Sequence, residues 1–225
     1  MIIVLASRHD ASARALVDGL AEHGEAALLT ARDLSASGWR LRVPGGPETL
    51  VIEGRPEPTE RVDGVVVRLA AVTEDELPDI LAADRPYVAA EMNSFLQSWL
   101  AAIRCPVFNR PVGAYLCGPG WRPEQWTLWA WRLGIPAEPM TRTQVLEGDA
   151  QPRPTGALET VTVIGAGCFG TPEVRLRQAA GQLAAAAGAS LLAAHFRNGR
   201  FVAADGFPDL SSAELRAGLH AAVAA

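Results

Sequence analysis

The stretch EGDAQPRPTGA, residues 147–157, most constrains how this chain can fold. It is rich in proline, glycine and polar side chains, and this composition is typical of a linker rather than of a helix or a strand. About 65 residues follow it, and they must form a hydrophobic core largely of their own. We therefore predict two domains, residues 1–146 and residues 158–225.

Strand-like and helix-like segments alternate on both sides of the linker, which predicts the α/β class. In the first domain, strands are expected in the segments MIIVLA, EAALLT, VDGVVVRLAAV and CPVFNRP. A hairpin is expected between WRLRV and TLVIEG. Helices are expected directly after Asp10 and in the segments EDELPDILAA, YVAAEMNSFLQSWLAAI and RPEQWTLWAWRLG. In the second domain, the pattern predicts strands over 160–165, 189–196 and 200–204 and helices over 173–188 and 211–224. The dipeptide Asn198-Gly199 predicts a hairpin between the last two strands.

The segment VTVIGAGCFG carries glycines spaced as G-x-G-x-x-G, at Gly165, Gly167 and Gly170. This spacing occurs where a strand turns into a helix that binds a dinucleotide pyrophosphate. The next strand, however, ends in His195, Phe196 and Arg197 without the acidic residue that holds the ribose, and a hairpin follows it. We interpret the glycines as a strand-to-helix turn and keep an NAD(P)-dependent oxidoreductase as the least favoured alternative.

Composition narrows the classes of partner. The net charge is −5, which gives no electrostatic basis for binding nucleic acid or anionic lipid. All 20 basic residues are arginine, so no lysine is available for a Schiff base or for contacts with phosphate. The three cysteines lack C-x-x-C spacing and the four histidines lack metal-ligand spacing. We expect a cytoplasmic protein without a membrane span, a signal peptide, a metal or a cofactor.

Polar side chains at predicted strand ends are the candidate binding residues. Arg68 follows a buried strand, where it either forms an internal ion pair or points into a cleft, with Glu91 as its expected partner. Asn109 and Arg110 follow another strand and either bind a carboxylate or fix the turn before a proline. Arg8 and His9, with Asp10, follow the first strand and form a possible anion site, although capping of the next helix by Asp10 explains the same residues.

Aromatic and thiol groups provide two further expectations. Trp121, Trp126, Trp129 and Trp131 are concentrated on one helix and its entry, so apolar surface extends around most of that helix. Either a homodimer or contact with the second domain would bury it. Cys117 and Cys168 lie in glycine-rich loops and could serve as nucleophiles if a base lowered their pKa.

The order of segments VDGVVVRLAAV, DRPYVAAEMNSFLQSWLAAIRCPVFNRPVGAYLCGPGW and WAWRLGIPAEP resembles the N-terminal portion of bacterial ATP-grasp ligases, in particular RimK-like and graspetide-type enzymes that modify peptides. In that family a strand carries an arginine, a helix carries a glutamate, and N-x-P and G-[LI]-P corners follow. The matching positions are Arg68, Glu91, Asn109 to Pro111 and Gly134 to Pro136. The segment GASLLAAHFRNGRFVAADGFPDL is similar to the closing hairpin of the family.

The departures from the family concern the ATP site. The metal-binding E-x-N motif would place glutamate at Ala203 and asparagine at Asp205, so only Asp205 is a weak metal candidate. The family lysine before the G-[LI]-P helix falls near Arg122 or Pro123. Roughly 20 residues separate Pro139 from Thr160, too few for the central nucleotide-clamping subdomain, since each strand alone takes about five.

The resemblance therefore implies a truncated, degenerate ATP-grasp-like protein, with a pre-ATP-grasp-like first domain and a shortened C-terminal unit. Such a protein would bind or act on a peptide or amino-acid-like carboxylate in a bacterial natural-product pathway, without conventional ATP-dependent ligation. An enzyme with ATP-independent chemistry in the cleft of Arg68, Glu91 and Asn109 is the alternative.

Overall fold

A computed structural model describes residues 1–113, 115–140, 156–171 and 173–225. They form two compact units: Met1–Gly120 together with Asp209–Ala225, and Trp121–Pro208. The predicted linker lies mostly outside the described residues. The units divide the chain at other points than the expected boundary, because the helix before the linker belongs to the second unit and the last helix belongs to the first.

Regular structure covers most of both units. The strands are β1 (Ile2–Leu5), β2 (Ala26–Leu29), β3 (Arg40–Arg42), β4 (Gly46–Ile52), β5 (Arg55–Pro58), β6 (Gly64–Val67), β7 (Val107–Phe108), β8 (Leu158–Ile164), β9 (Gly167–Phe169), β10 (Leu191–Arg197) and β11 (Arg200–Asp205). The helices are α1 (Ala11–Ala21), α2 (Ala31–Leu34), α3 (Arg85–Ala102), α4 (Pro123–Arg132), α5 (Val174–Ala187) and α6 (Ala213–Ala224). Short 3₁₀ turns lie at Thr59–Arg61 and Glu74–Glu76. The predicted α/β class is confirmed.

A parallel four-stranded sheet organises the first unit, in the order β2-β1-β6-β7. Every residue of β1 and β6 is buried, as expected for central parallel strands covered on both faces. Helix α3 supplies Leu96, Trp99 and Leu100 to the core on one side. Because all four strands are parallel, their carboxyl ends lie at one edge, where ligands of α/β proteins commonly bind.

The last helix, α6, packs within the first unit against small residues. A Cβ on Gly19 of α1 would lie 2.8 Å from Cδ of Arg216, and one on Gly64 would lie 2.7 Å from Cγ2 of Val223. A side chain at Gly64 would press on the branched Val223 of α6, and one at Gly19 would displace the side chain of Arg216. These contacts explain why α6 belongs to the first unit although 158–225 was predicted to form one domain.

Two local predictions for the first unit need correction. The segment 74–83 was expected to be helical but forms only the turn Glu74–Glu76, because Pro78 lacks an amide donor and disfavours helical geometry in the residue before it. The predicted hairpin of β3 and β4 is present and gains a third antiparallel strand, β5. The prolines of β5 at positions 56 and 58 obscured it, since proline in a strand is confined mainly to sheet edges.

An antiparallel sheet in the order β11-β10-β8-β9 organises the second unit. Strand β10 pairs with β8 along its whole length, and β10 and β11 form the predicted hairpin at Asn198-Gly199. Helix α5 covers one face, where Leu176, Ala180 and Leu183 pack on the sheet residues Val161 and Phe196.

The glycine motif also needs correction. Ile164 pairs with Gly167, so Gly165 and Ala166 form the two-residue loop of an antiparallel hairpin between β8 and β9. Helix α5 begins only at Val174, so the motif is neither a strand-to-helix turn nor a cradle at a helix N-terminus. The geometry therefore contradicts the NAD(P) alternative, which requires amide groups of a helix start around the pyrophosphate.

Among the residues that the structure describes, no helix is both long enough and apolar enough to cross a lipid bilayer.

Candidate functional site

The carboxyl edge of the parallel sheet brings together loops that are distant in sequence. Strand β1 pairs with β6, and β6 pairs with β7, so the residues after these strands lie side by side. They include the segment 7–10 after β1, Arg68 after β6 and Asn109 after β7. We call this cluster the sheet-edge site.

An ion pair joins two of these loops. The Nε of Arg68 donates to a carboxylate oxygen of Asp10 at 2.9 Å, and its Nη2 donates to Oγ of Ser12 at 2.9 Å. Asp10 also caps α1, since it accepts from the amide of Ala13 at 3.0 Å. Its anionic form therefore serves as a helix cap and as the partner of an arginine.

Burial by itself would raise the pKa of Asp10. The opposite effect is larger, because Asp10 accepts hydrogen bonds from Ser12, Arg68 and the amide of Ala13 and lies beside the charge of Arg68; its pKa is therefore held below 3.8. The backbone amide of Ser211 similarly lowers the pKa of Asp209, with a further contribution from the charge of Arg68. Both carboxyl groups are therefore charged at neutral pH.

A buried carboxylate, absent from the sequence prediction, holds the loop after β1. Glu76 is 7% exposed, accepts a hydrogen bond from Oγ of Ser7 and accepts another from the amide of Arg8 at 3.3 Å. The sequence did indicate a polar loop at this position, because the segment SRHD directly follows a buried strand. The distant partner Glu76 carries no such signal, because it lies in a turn almost 70 residues later.

Arg8 and His9 present donors at this edge. The Nε of Arg8 donates to Nε2 of His9 at 3.0 Å, and its Nη2 donates to the carbonyl of Asp75 at 2.9 Å. Because Nε2 of His9 accepts, this contact assigns the ring proton to Nδ1. Both side chains are exposed, so the Nη1 group of Arg8 and the Nδ1 of His9 can donate to a ligand carboxylate.

Asn109 lies at the same edge but is closed off, with 1% exposure. The Cβ position of Gly118, at a φ of +88°, lies 2.5 Å from Cβ of Asn109, so only glycine fits over this side chain. This geometry favours the interpretation of Asn109 as a residue that fixes the turn. Asn93 of α3 has a comparable structural role, since its amide group bonds both the N–H and the C=O of Val72 at 2.8 Å.

Two predicted site residues lie elsewhere. Glu91 is not the partner of Arg68; it is exposed on α3 and borders a pocket with Trp39 and Phe95. The guanidinium of Arg110 donates to the carbonyls of Leu100, Ala101, Ile103 and Cys105. It therefore caps the C-terminus of α3, where exposed carbonyls and the helix dipole favour a cation.

The two positions expected to hold Mg²⁺ do not supply the oxygen ligands of the family motif. Ala203 offers no oxygen ligand, and Asp205 uses a carboxylate oxygen to accept from the amide of Phe207 at 2.8 Å. Across the sheet, Ala203 pairs with His195, whose Nδ1 shares a hydrogen bond with Oγ1 of Thr160 at 2.9 Å. Mg²⁺ prefers several charged or carbonyl oxygens, whereas His195 and Thr160 supply an imidazole nitrogen and a hydroxyl. In the described residues, no three His, Cys, Asp or Glu side chains are grouped to hold a metal ion.

A groove of about 760 Å³ lies within the second unit along α4 and the segment 134–140. Trp121 stacks on Trp129 with the rings 5.5 Å apart, and Trp126 is buried in the core. Trp131 and Leu128 face outward into the groove and are 74% and 44% exposed. Three of the four clustered tryptophans, Trp121, Trp126 and Trp129, thus pack in or against the core of this unit, and Trp131 remains at the surface.

The cysteines are free thiols, and two of them are not activated. Burial raises the pKa of both Cys105 and Cys168, and neighbouring arginines offset this only in part. Cys168 lies in β9 and donates to the carbonyl of Arg177 at 3.5 Å. A raised pKa leaves little thiolate at neutral pH, which disfavours a nucleophilic role.

Comparison with solved structures establishes the fold. The macrocyclase MdnC bound with precursor peptide MdnA, from Microcystis aeruginosa MRC, is similar with a TM-score of 0.67 and 10% identity over 100% of both chains. The macrocyclase MdnB from the same organism has a TM-score of 0.62 and 13% identity, over 98% of this chain and 97% of its own. The ATP-grasp ligase PsnB complexed with minimal precursor, Mg and ADP has a TM-score of 0.60 and 16% identity, over 100% of this chain and 98% of its own.

No protein-family model matches the sequence. No curated protein sequence matches it either. At these identities the similarity concerns the fold, and the chain has the fold of the ATP-grasp ligases, as its sequence motifs predicted.

Proposed function

We propose that this protein binds a carboxylate-bearing peptide at the sheet-edge site and acts in peptide modification without conventional ATP-dependent ligation. The observation that carries the proposal is the exposed donor pair of Arg8 and His9, oriented by Asp75 and Glu76 at the carboxyl edge of the parallel sheet. An arginine with a free N–H edge beside an imidazole N–H suits a carboxylate of a peptide side chain or terminus. Among proteins of similar fold, MdnC was solved with a precursor peptide and PsnB with a minimal precursor, which supports a peptide as the ligand.

The loss of ATP chemistry is the second part of this proposal. Phosphoryl transfer requires cations positioned around the phosphates, and here the expected metal ligands are Ala203 and a turn-bonded Asp205. Only residues 141–157 separate Met140 from β8, which supports the truncation of a central subdomain. We therefore expect no micromolar, Mg²⁺-dependent binding of ATP.

One titration panel tests both parts. A synthetic peptide that carries glutamates, its glutamine counterpart, ATP with Mg²⁺, and NADPH are each titrated by calorimetry. The proposal expects binding of the glutamate peptide, at least fivefold weaker binding of the glutamine peptide, and a loss of about tenfold in Arg8→Gln. The variant Arg104→Gln removes another exposed arginine outside the sheet-edge site and should bind normally. Equal binding of the two peptides would refute the carboxylate site, and micromolar ATP binding that needs Mg²⁺ would refute the degenerate state.

An ATP-independent enzyme at the same edge is the second candidate. The contact of Ser7 Oγ with the buried carboxylate of Glu76 favours it, because a hydroxyl bonded to a carboxylate has a base to accept its proton. Turnover of a bound peptide, detected by mass spectrometry and abolished in Ser7→Ala with peptide binding retained, would establish this candidate. If the wild type binds the peptide but does not change its mass, the enzyme candidate is refuted and the protein acts only by binding.

We also propose a cytoplasmic homodimer. Three free thiols are typical of a reducing compartment, and the exposed Trp131 and Leu128 on α4 provide apolar surface for a second copy. Sedimentation at micromolar concentration should give a dimer that Trp131→Ser converts to a monomer. A wild-type monomer under these conditions would contradict the dimer.

A further inference from the structure

A small aromatic pocket lies on the first unit, and none of its lining residues belongs to the sheet-edge site. Leu34, Trp39, Met92 and Phe95 line it, and Glu91 stands at its border. Its volume is about 240 Å³, which is enough for one side chain but smaller than a typical drug-sized site. Neither the peptide-binding proposal nor the similarity in fold assigns a role to this pocket.

The aromatic wall is held in a fixed orientation. The indole Nε1 of Trp39 donates to the carbonyl of Asp33 at 2.8 Å. The ring of Trp39 also makes edge contacts with Phe95, at 5.4 Å between centroids, and with Trp99, at 5.6 Å. Because Trp99 is fully buried, the indole rests on a rigid core and needs no rearrangement to receive a ligand.

Glu91 supplies an uncompensated charge at the pocket. Within the part of the chain that the structure describes, its carboxylate forms no ion pair or hydrogen bond, and its helix neighbours at positions 87, 88, 94 and 95 carry no cation. The carboxylate lies one helical turn before Phe95, on the side of α3 that lines the pocket. A negative charge beside indole and phenyl rings is the combination that attracts an organic cation.

We propose that this pocket, named here the Trp39 pocket, binds a lysine or arginine side chain of a partner peptide. The methylenes of such a side chain pack against Trp39, Met92 and Phe95, and its charged group pairs with Glu91. An anionic or purely apolar side chain is disfavoured, because it leaves the Glu91 charge unpaired or repelled. The chain contains no lysine, so no lysine of this protein can fill the pocket.

The experiment follows the indole N–H resonance of Trp39 in two-dimensional ¹H–¹⁵N spectra. Its assignment comes from the peak lost in Trp39→Phe. The probes are Nα-acetyl-lysine methylamide, Nα-acetyl-arginine methylamide and the uncharged Nα-acetyl-norleucine methylamide. We expect saturable shifts with at least one of the two cations, and binding of norleucine at least fivefold weaker.

Matched variants separate the charge from the fold. Glu91→Gln should weaken cation binding about fivefold to tenfold while its thermal midpoint stays unchanged, since Glu91 is exposed. Glu214→Gln removes the same charge from another exposed helical position and should bind as the wild type does. Equal binding of norleucine and lysine analogues, or full binding in a folded Glu91→Gln, would overturn the proposal. Neither result would bear on the peptide-binding proposal for the sheet-edge site, because that site shares no residue with this pocket.

Discussion

Removal of the Asp10 carboxylate should destabilise the first unit through two separate contacts. Asp10→Ala deletes the cap on the amide of Ala13, which contributes about 1 kcal/mol in comparable helices. It also takes the carboxylate away from Arg68, whose side chain is 10% exposed. Loss of one partner of a fully buried pair costs about 3–5 kcal/mol. Asp10 itself is 21% exposed and Arg68 keeps other partners, among them Ser12, so the cost falls to about 1.5–3 kcal/mol.

The free energy of unfolding of Asp10→Ala should therefore fall by about 2.5–4 kcal/mol at pH 7. Asp10→Asn keeps an oxygen for Ala13 and for Ser12, so it should lose only about 1–2 kcal/mol. Urea denaturation followed by circular dichroism measures both values. A double-mutant cycle with Arg68→Met isolates the ion pair, for which we expect a coupling of about 1–2 kcal/mol.

The pH dependence gives an independent check of the ion pair. The pKa of Asp10 is lowered by folding, so its stabilisation is complete above the unfolded value near 3.8 and is lost as pH falls through the folded value. The gap between wild type and Asp10→Asn should thus be full at pH 6 and shrink below pH 3.8. Equal stabilities of Asp10→Ala and Asp10→Asn, a coupling near zero, or a gap that does not change with pH would refute the reasoning.

Three further predictions follow from the geometry. Gly170→Ala should unfold the second unit or destabilise it by more than about 3 kcal/mol, since the new Cβ would clash with the carbonyl oxygen of Thr160. Gly188→Ala places its Cβ in open space and should cost only about 1 kcal/mol, as measured by thermal denaturation. Similar losses of stability in the two variants would contradict the packing argument. Cys168 should react with iodoacetamide at pH 7 more slowly than a solvent-exposed thiol, and its reaction rate should rise above pH 9, because burial raises its pKa. Fast labelling of Cys168 at pH 7 would contradict this prediction. Arg110→Ala should lower stability by about 1–2 kcal/mol with peptide affinity unchanged, and a selective loss of affinity would restore the predicted binding role.

Local patterns sufficed for much of the fold. The buried valines of β6, the aspartate before α1 and the Asn-Gly hairpin each act over a few residues, where backbone geometry and burial leave few alternatives. The order of motifs also predicted the ATP-grasp fold, although no family model matches the sequence. The hairpin between β8 and β9 escaped prediction, because strand pairing converts a glycine-rich run into a turn only when the partner strand is known.

The candidate site also combines features that the sequence predicts with features that only the folded chain shows. The sequence by itself determined which polar residues follow the strands, and on that ground Arg8, His9 and Arg68 were predicted as candidate binding residues. Only the tertiary structure decided their partners: Arg68 pairs with Asp10, Arg110 caps a helix, and Glu91 borders an aromatic pocket. The physical reason is that electrostatic contacts depend on distances of a few ångströms between side chains remote in sequence, and sequence spacing does not encode those distances.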